Sequence, residues 1–83
     1  MRSYAVVYEK GPVSWGAYLP DLPGLVATAD TLEEVQKLIQ EGLQIHLESM
    51  LEDGDPIPEP ASQVGVLKTN IVENWQHRLA RSA

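Results

Sequence analysis

The chain opens with three short runs of apolar, β-branched and aromatic residues, which turn-forming residues separate. The first two runs, at 4–8 and 15–19, flank a glycine and a proline that are typical of a turn. The third run, at 25–29, follows a loop at 20–24 in which two prolines and a glycine exclude regular structure. This composition is typical of strands. We therefore predict a three-stranded antiparallel meander with strands at about 3–9, 14–19 and 25–29.

A long amphipathic helix is predicted for residues 31–53. Thr31 and Glu34 match a capping box, in which the hydroxyl accepts from the Glu34 N–H and the carboxylate reaches back. Apolar residues then recur every three or four positions, as one face of a helix requires. Gly54 is suited to a left-handed cap and Pro56 prevents continuation. The expected fold is α+β, with the sheet packed on this helix in two layers.

The C-terminal part of the chain is predicted to begin with a stiff, extended connector at 55–60, because three prolines alternate there. The apolar run that follows predicts a fourth strand at about 63–68. Apolar spacing beyond it permits a short amphipathic helix at 70–80. We divide the chain into a domain at 1–60 and a tail at 61–83.

Self-association is expected because the chain carries more apolar surface than one small domain buries. Part of it lies on a flank of the helix, which makes the apolar band wide enough to be covered by the sheet and by a second subunit. The rest lies in the tail. We predict a dimer or tetramer whose interface includes Leu38, Ile45, Val66, Ile71, Val72, Trp75 and Leu79.

Charge is distributed unevenly along the chain. Residues 1–60 carry three basic and eleven acidic side chains, a net charge of −8, whereas residues 61–83 carry a net charge of +2. An acidic body repels nucleic-acid phosphates and favours a basic protein as partner. The sequence has no cysteine, no secretory leader pattern and no apolar run of membrane-spanning length. We therefore expect a cytoplasmic protein without disulfides or a membrane segment.

Catalytic and cofactor motifs are not found in the sequence. Its glycines match no nucleotide-binding fingerprint, and no nucleophile stands in a recognisable catalytic pattern. Glu9, Asp21 and Asp30 would be the ligands of a metal-dependent nuclease if the fold brought them together. A strand end, a turn and a helix start explain these three carboxylates equally well. We predict a protein that is not an enzyme and needs no cofactor.

The second strand and the loop after it concentrate aromatic and proline residues, which suit a rigid protein-binding surface. Trp15 and Leu22 have a second interpretation, in which they fill the core between sheet and helix. The predicted partner-binding residues are Trp15, Tyr18, Pro20, Asp21, Leu22, Pro23 and Gly24.

Three segments in order, residues 18–24, 30–34 and 56–60, resemble the HicB-like antitoxin family. They correspond to its proline-rich loop after a strand, its acidic helix start and its proline-rich segment after the helix. The resemblance implies a partial RNase H-like fold that lacks the nuclease's catalytic acids. It also implies that the protein masks a small, basic, RNA-cleaving HicA-like toxin.

Two further expectations follow from the resemblance. Many members add a C-terminal DNA-binding domain, for which residues 61–83 are too short, so we do not expect operator binding. The alternative to an antitoxin is an orphan homo-oligomer of the same fold, with a structural or small-ligand role.

Overall fold

The computed structural model describes residues 2–71. Three antiparallel strands in the order β1-β2-β3 pack on one helix, which confirms the predicted α+β meander. The elements are β1 (Val7–Lys10), β2 (Trp15–Tyr18), β3 (Val26–Ala29) and α1 (Leu32–Asp53). The first strand begins four residues later than predicted. Val7 already pairs with Tyr18, the last residue of β2, so residues 3–6 extend past the end of their neighbour.

The core lies between the sheet and α1. Alternate residues of each strand point to opposite faces of the sheet, so every second side chain faces the helix. Ala17 and Leu19 from the second strand region meet Val35 and Ile39 from the helix, and Leu22 closes the cluster from the loop. Five fully buried side chains are a small core, as expected for a domain of this length.

Both ends of α1 are capped by their local sequence. The Thr31 hydroxyl accepts a hydrogen bond of 3.1 Å from the Glu34 N–H, as predicted. The reciprocal bond to the Glu34 carboxylate does not occur among the hydrogen bonds of residues 2–71. Gly54 adopts φ 73° and, with Asp55, donates to the carbonyls of the last helical turn. This Schellman arrangement ends the helix where the sequence predicted.

Thr31→Ala tests the N-terminal cap. Removing the hydroxyl leaves the Glu34 N–H to water alone, and such a loss typically costs about 1 kcal/mol. For a domain of this size, that free energy corresponds to a fall in Tm of roughly 4–8 °C. Thr69→Ala, an exposed position outside regular structure, is the matched control and should leave Tm unchanged within about 1 °C. Equal Tm values for the two variants would contradict a stabilising cap.

The connector after α1 folds back across the end of the sheet. The Arg2 guanidinium donates to the Ile57 carbonyl at 3.2 Å and forms an ion pair with Glu59 at 3.1 Å. The Tyr4 hydroxyl donates to the Pro58 carbonyl at 2.6 Å. These contacts hold the proline-rich segment against the N-terminal residues that precede β1.

The predicted fourth strand at 63–68 is wrong, because residues 55–71 contain no regular secondary structure. A strand requires a neighbour to receive its backbone hydrogen bonds, and this segment leaves the body with its side chains exposed. Most of the predicted helix at 70–80 lies outside the described residues. So do three of the predicted interface residues, namely Val72, Trp75 and Leu79.

Candidate partner-binding surface

The sheet face opposite α1 carries an uncovered apolar row. Val7, Tyr18 and Val26 lie directly opposite one another across the three strands. Tyr18 is exposed, and Val26 leaves 70% of its surface in solvent. Since α1 packs on the other side of the sheet, none of the residues 2–71 covers this row. We name Val7, Tyr18 and Val26 the outer row.

The loop between β2 and β3 lies at the end of the sheet where the outer row is found. Pro20, Pro23 and Gly24 are exposed there, and Gly24 adopts φ 92°, which favours glycine. Leu22 is only 2% exposed and belongs to the core. Its burial removes it from the exposed partner-binding set and anchors the loop to the body.

Trp15 also belongs to the core side of the sheet. It is half-buried and packs against the core cluster. The Lys10 ammonium lies 6.0 Å from the centre of its ring, at the outer limit of a cation–π contact. The two residues with an alternative core interpretation, Trp15 and Leu22, are therefore both on the inside.

The Asp21 carboxylate is engaged within the chain. Oδ2 accepts from the backbone N–H groups of Ala61 at 2.9 Å and Ser62 at 3.0 Å, and Oδ1 accepts from the Ser62 hydroxyl at 2.9 Å. The backbone N–H of Ser62, then that of Ala61, and the Ser62 hydroxyl hold the pKa of Asp21 below its ordinary value of 3.8, and partial desolvation opposes them. Asp21 thus ties the connector to the loop.

Comparison with known protein families now adds to this geometry. Residues 4–80 match the family described as HicB-like antitoxin of bacterial toxin-antitoxin system. The chain belongs to the HicB-like antitoxin family. The match covers nearly the whole chain, including the strands, the helix, the connector and the tail, and confirms the resemblance inferred from three short segments.

One curated relative is similar over part of its length. An uncharacterized 14.9 kDa protein in the rep-hol intergenic region of Haemophilus phage HP1 (strain HP1c1) is 34% identical over 56 residues. The aligned region covers 68% of this chain and 42% of the relative, so the chain spans less than half of that protein's length. No solved structure matches the chain significantly.

The three carboxylates of the nuclease alternative are not gathered in this HicB-like fold. Asp21 and Asp30 lie beyond opposite ends of β3, and Glu9 lies on β1 opposite Gly16. Within residues 2–71, no three acidic or histidine side chains are placed to hold a metal ion together. The same part of the chain contains no helix with the length and apolar character that a bilayer crossing requires.

Val26 and Val7 are surface residues that the sequence analysis missed. The third run is apolar at 25, 26, 27 and 29, so its alternation is hidden. Thr28 is the one signal, because a polar residue in a strand marks the solvent face and Val26 shares its parity. Only the pairing of Val26 with Tyr18 places both side chains in one row.

Asp21→Asn tests the tie between the loop and the connector. The lowered pKa means that the tie is intact above pH 3.8 and is lost as the pH falls through the pKa of the folded state. The neutral amide cannot reproduce the charge-assisted bonds, so the Ala61 and Ser62 amides should exchange hydrogen roughly threefold to tenfold faster at neutral pH.

The matched control is Asp55→Asn, whose side chain makes no hydrogen bond within residues 2–71. It should leave exchange at positions 61 and 62 unchanged. In the unaltered protein, exchange corrected for its intrinsic pH dependence should show the same loosening below about pH 4. Identical exchange in both variants would show that Asp21 does not hold the connector.

Proposed function

We propose that this protein is an antitoxin that binds and masks a small, basic, RNA-cleaving toxin of the HicA type. Membership of the HicB-like antitoxin family is the observation that carries the proposal. The protein acts by occupying the toxin's surface, not by catalysing a reaction, and it needs no cofactor. Its proposed location is the cytoplasm, where an RNA-cleaving toxin meets its substrate.

The charge of the protein supports a basic partner. A protein that cleaves RNA binds phosphates through cationic side chains, so its active face is positive. Residues 1–60 carry a net charge of −8 and offer the opposite potential. Complementary charge accelerates encounter and excludes acidic partners. The same charge repels DNA, so we propose that the body itself makes no operator contact.

The outer row supplies the apolar centre that a specific interface needs. Aromatic and aliphatic side chains at the centre of an interface carry most of its binding energy, and polar groups form the rim. Tyr18 and Val26 provide such a centre, and Glu9 and Asp30 are exposed carboxylates of the same region of the fold. The exposed prolines of the loop extend the rigid surface. We place the toxin on this face.

Affinity capture from the native cell extract, read by mass spectrometry, tests the proposal. The full-length protein should recover a basic protein of fewer than about 100 residues, and increasing salt should weaken the complex because it screens opposite charges. The captured protein should cleave RNA when alone and lose that activity when the present chain is added. Capture of a protein that does not cleave RNA would contradict the toxin assignment.

An orphan homo-oligomer is the second candidate function. The exposed apolar side chains between residues 64 and 71 favour it, because a protein with no partner has no reason to leave them in water. In that case, capture returns only copies of the chain itself. The two candidates are compatible if the subunits associate through one surface and bind the toxin through another.

A further inference from the structure

An open groove lies beside the first strand. α1 packs against β3 and β2, so the helix flank above β1 is covered by no other part of residues 2–71. The resulting groove has a volume of about 720 Å³. Its apolar lining comes from Tyr4, Leu43, Leu47, Leu51 and Ile57, which together define the β1 groove.

The edge of the sheet at this groove is also open. β1 is the end strand, so the backbone N–H and C=O groups on its outer side have no strand partner. Such an edge is a template for another strand, which would place alternate side chains in the groove. The monomer thus presents both halves of a receptor for an extended apolar segment.

The chain also carries a segment of that kind. Residues 63–71 are extended away from the body, with Val66 86% and Leu67 98% exposed. Val64 and Val66 are two positions apart and share one face when the segment is extended, and Gly65 between them has no side chain. Nine residues in a strand span about 30 Å, whereas the groove follows roughly 18 Å of helix.

The connector directs this segment away from its own groove. Ile57 lines the groove on the β1 side, and Pro58 lies against Tyr4. The chain then runs to Asp21, beyond the end of β2, where Ser62 is held by two hydrogen bonds. Residue 63 therefore leaves from the other side of the connector, and its successors remain exposed.

We propose that residues 63–71 of one copy bind the β1 groove of a second copy, adding a fourth strand to its sheet and inserting Val64 and Val66. The exchange is reciprocal, so two identical contacts form around a two-fold axis. Charge favours this occupant, because residues 61–83 carry +2 and the body that receives them carries −8. The proposal does not depend on the identity of any toxin.

Val66→Asp and Leu51→Asp test the two sides of the contact in the full-length chain. Val66 is exposed and Leu51 is 67% exposed, so both variants should fold. Sedimentation equilibrium over a micromolar dilution series should show a dimer for the unaltered chain. Each variant should raise the dimer dissociation constant by about 100-fold or more, because a carboxylate cannot enter the apolar groove without its water.

Ile45→Asp is the matched control for Leu51→Asp. Ile45 is also 67% exposed, but it lies on the flank of α1 away from the groove. It should leave the dimer intact. Dissociation by Ile45→Asp with an unaffected Leu51→Asp would move the interface to the other flank and overturn the proposal.

Mixing the two monomeric variants distinguishes exchange between copies from any other cause. The Val66→Asp copy retains an intact groove, and the Leu51→Asp copy retains an intact segment. One of the two contacts can therefore form, and a mixed dimer should appear with an affinity between those of the variants and the unaltered chain. A monomeric unaltered chain, or variants that remain fully dimeric, would refute the proposal.

Discussion

Val26→Arg should weaken binding of the basic toxin by at least about 100-fold while leaving the domain folded. Val26 is 70% exposed and stands beside Tyr18 at the apolar centre of the proposed interface. An arginine there brings a positive charge against a positive partner and replaces an apolar contact. Losses of about 2–4 kcal/mol are typical of central interface positions, and each 1.4 kcal/mol corresponds to a tenfold change.

The measurement is isothermal titration calorimetry with the captured toxin, together with rescue of growth when both proteins are produced in one cell. Val13→Arg is the matched control, since it makes the same chemical change at an exposed position in the β1–β2 turn. Both variants alter net charge equally, so a general charge effect would appear in both. If Val26→Arg bound the toxin as well as Val13→Arg, the outer row would not be the binding surface.

Leu22→Ala should cost the domain about 2–5 kcal/mol of unfolding free energy. Leu22 is 2% exposed and is one of only five fully buried core residues. Removing three carbon atoms leaves a cavity that so small a core cannot refill. A total stability of roughly 5–15 kcal/mol makes this a large fraction, and the expected fall in Tm is about 10–30 °C.

Thermal and urea unfolding followed by circular dichroism measure this effect. Leu38→Ala, on the exposed flank of α1, makes the same change and should cost less than about 1 kcal/mol. Leu22 also anchors the loop that carries the exposed prolines, so Leu22→Ala should speed amide exchange at Pro-flanked positions such as Asp21 more than elsewhere. Equal stability of the two leucine variants would place Leu22 outside the core.

Several features of the fold were readable from short stretches of sequence. The cap at Thr31 and the helix end at Gly54 depend on residues within four positions of one another, and both occur where predicted. The three strands were likewise predicted from local composition and turn residues. The family was recognisable because three local motifs kept their order and spacing.

Other features depended on where distant parts of the chain meet. The fourth strand was predicted from apolar composition, but a strand exists only where a neighbour receives its hydrogen bonds, and no such neighbour reaches 63–68 within residues 2–71. Asp21 was assigned to a partner surface because nothing in its own neighbourhood announces a bond to Ser62, 41 positions away.

The division between the two groups has a single physical origin. Caps, turns and strand propensities arise from interactions among adjacent residues, so the sequence specifies them directly. Which face of a strand meets water, which carboxylate finds a backbone N–H and which helix flank stays open depend on strand register and helix placement. Val26 shows this plainly, since pairing with Tyr18 and the position of α1 on the opposite face, and not its own chemistry, leave it in solvent.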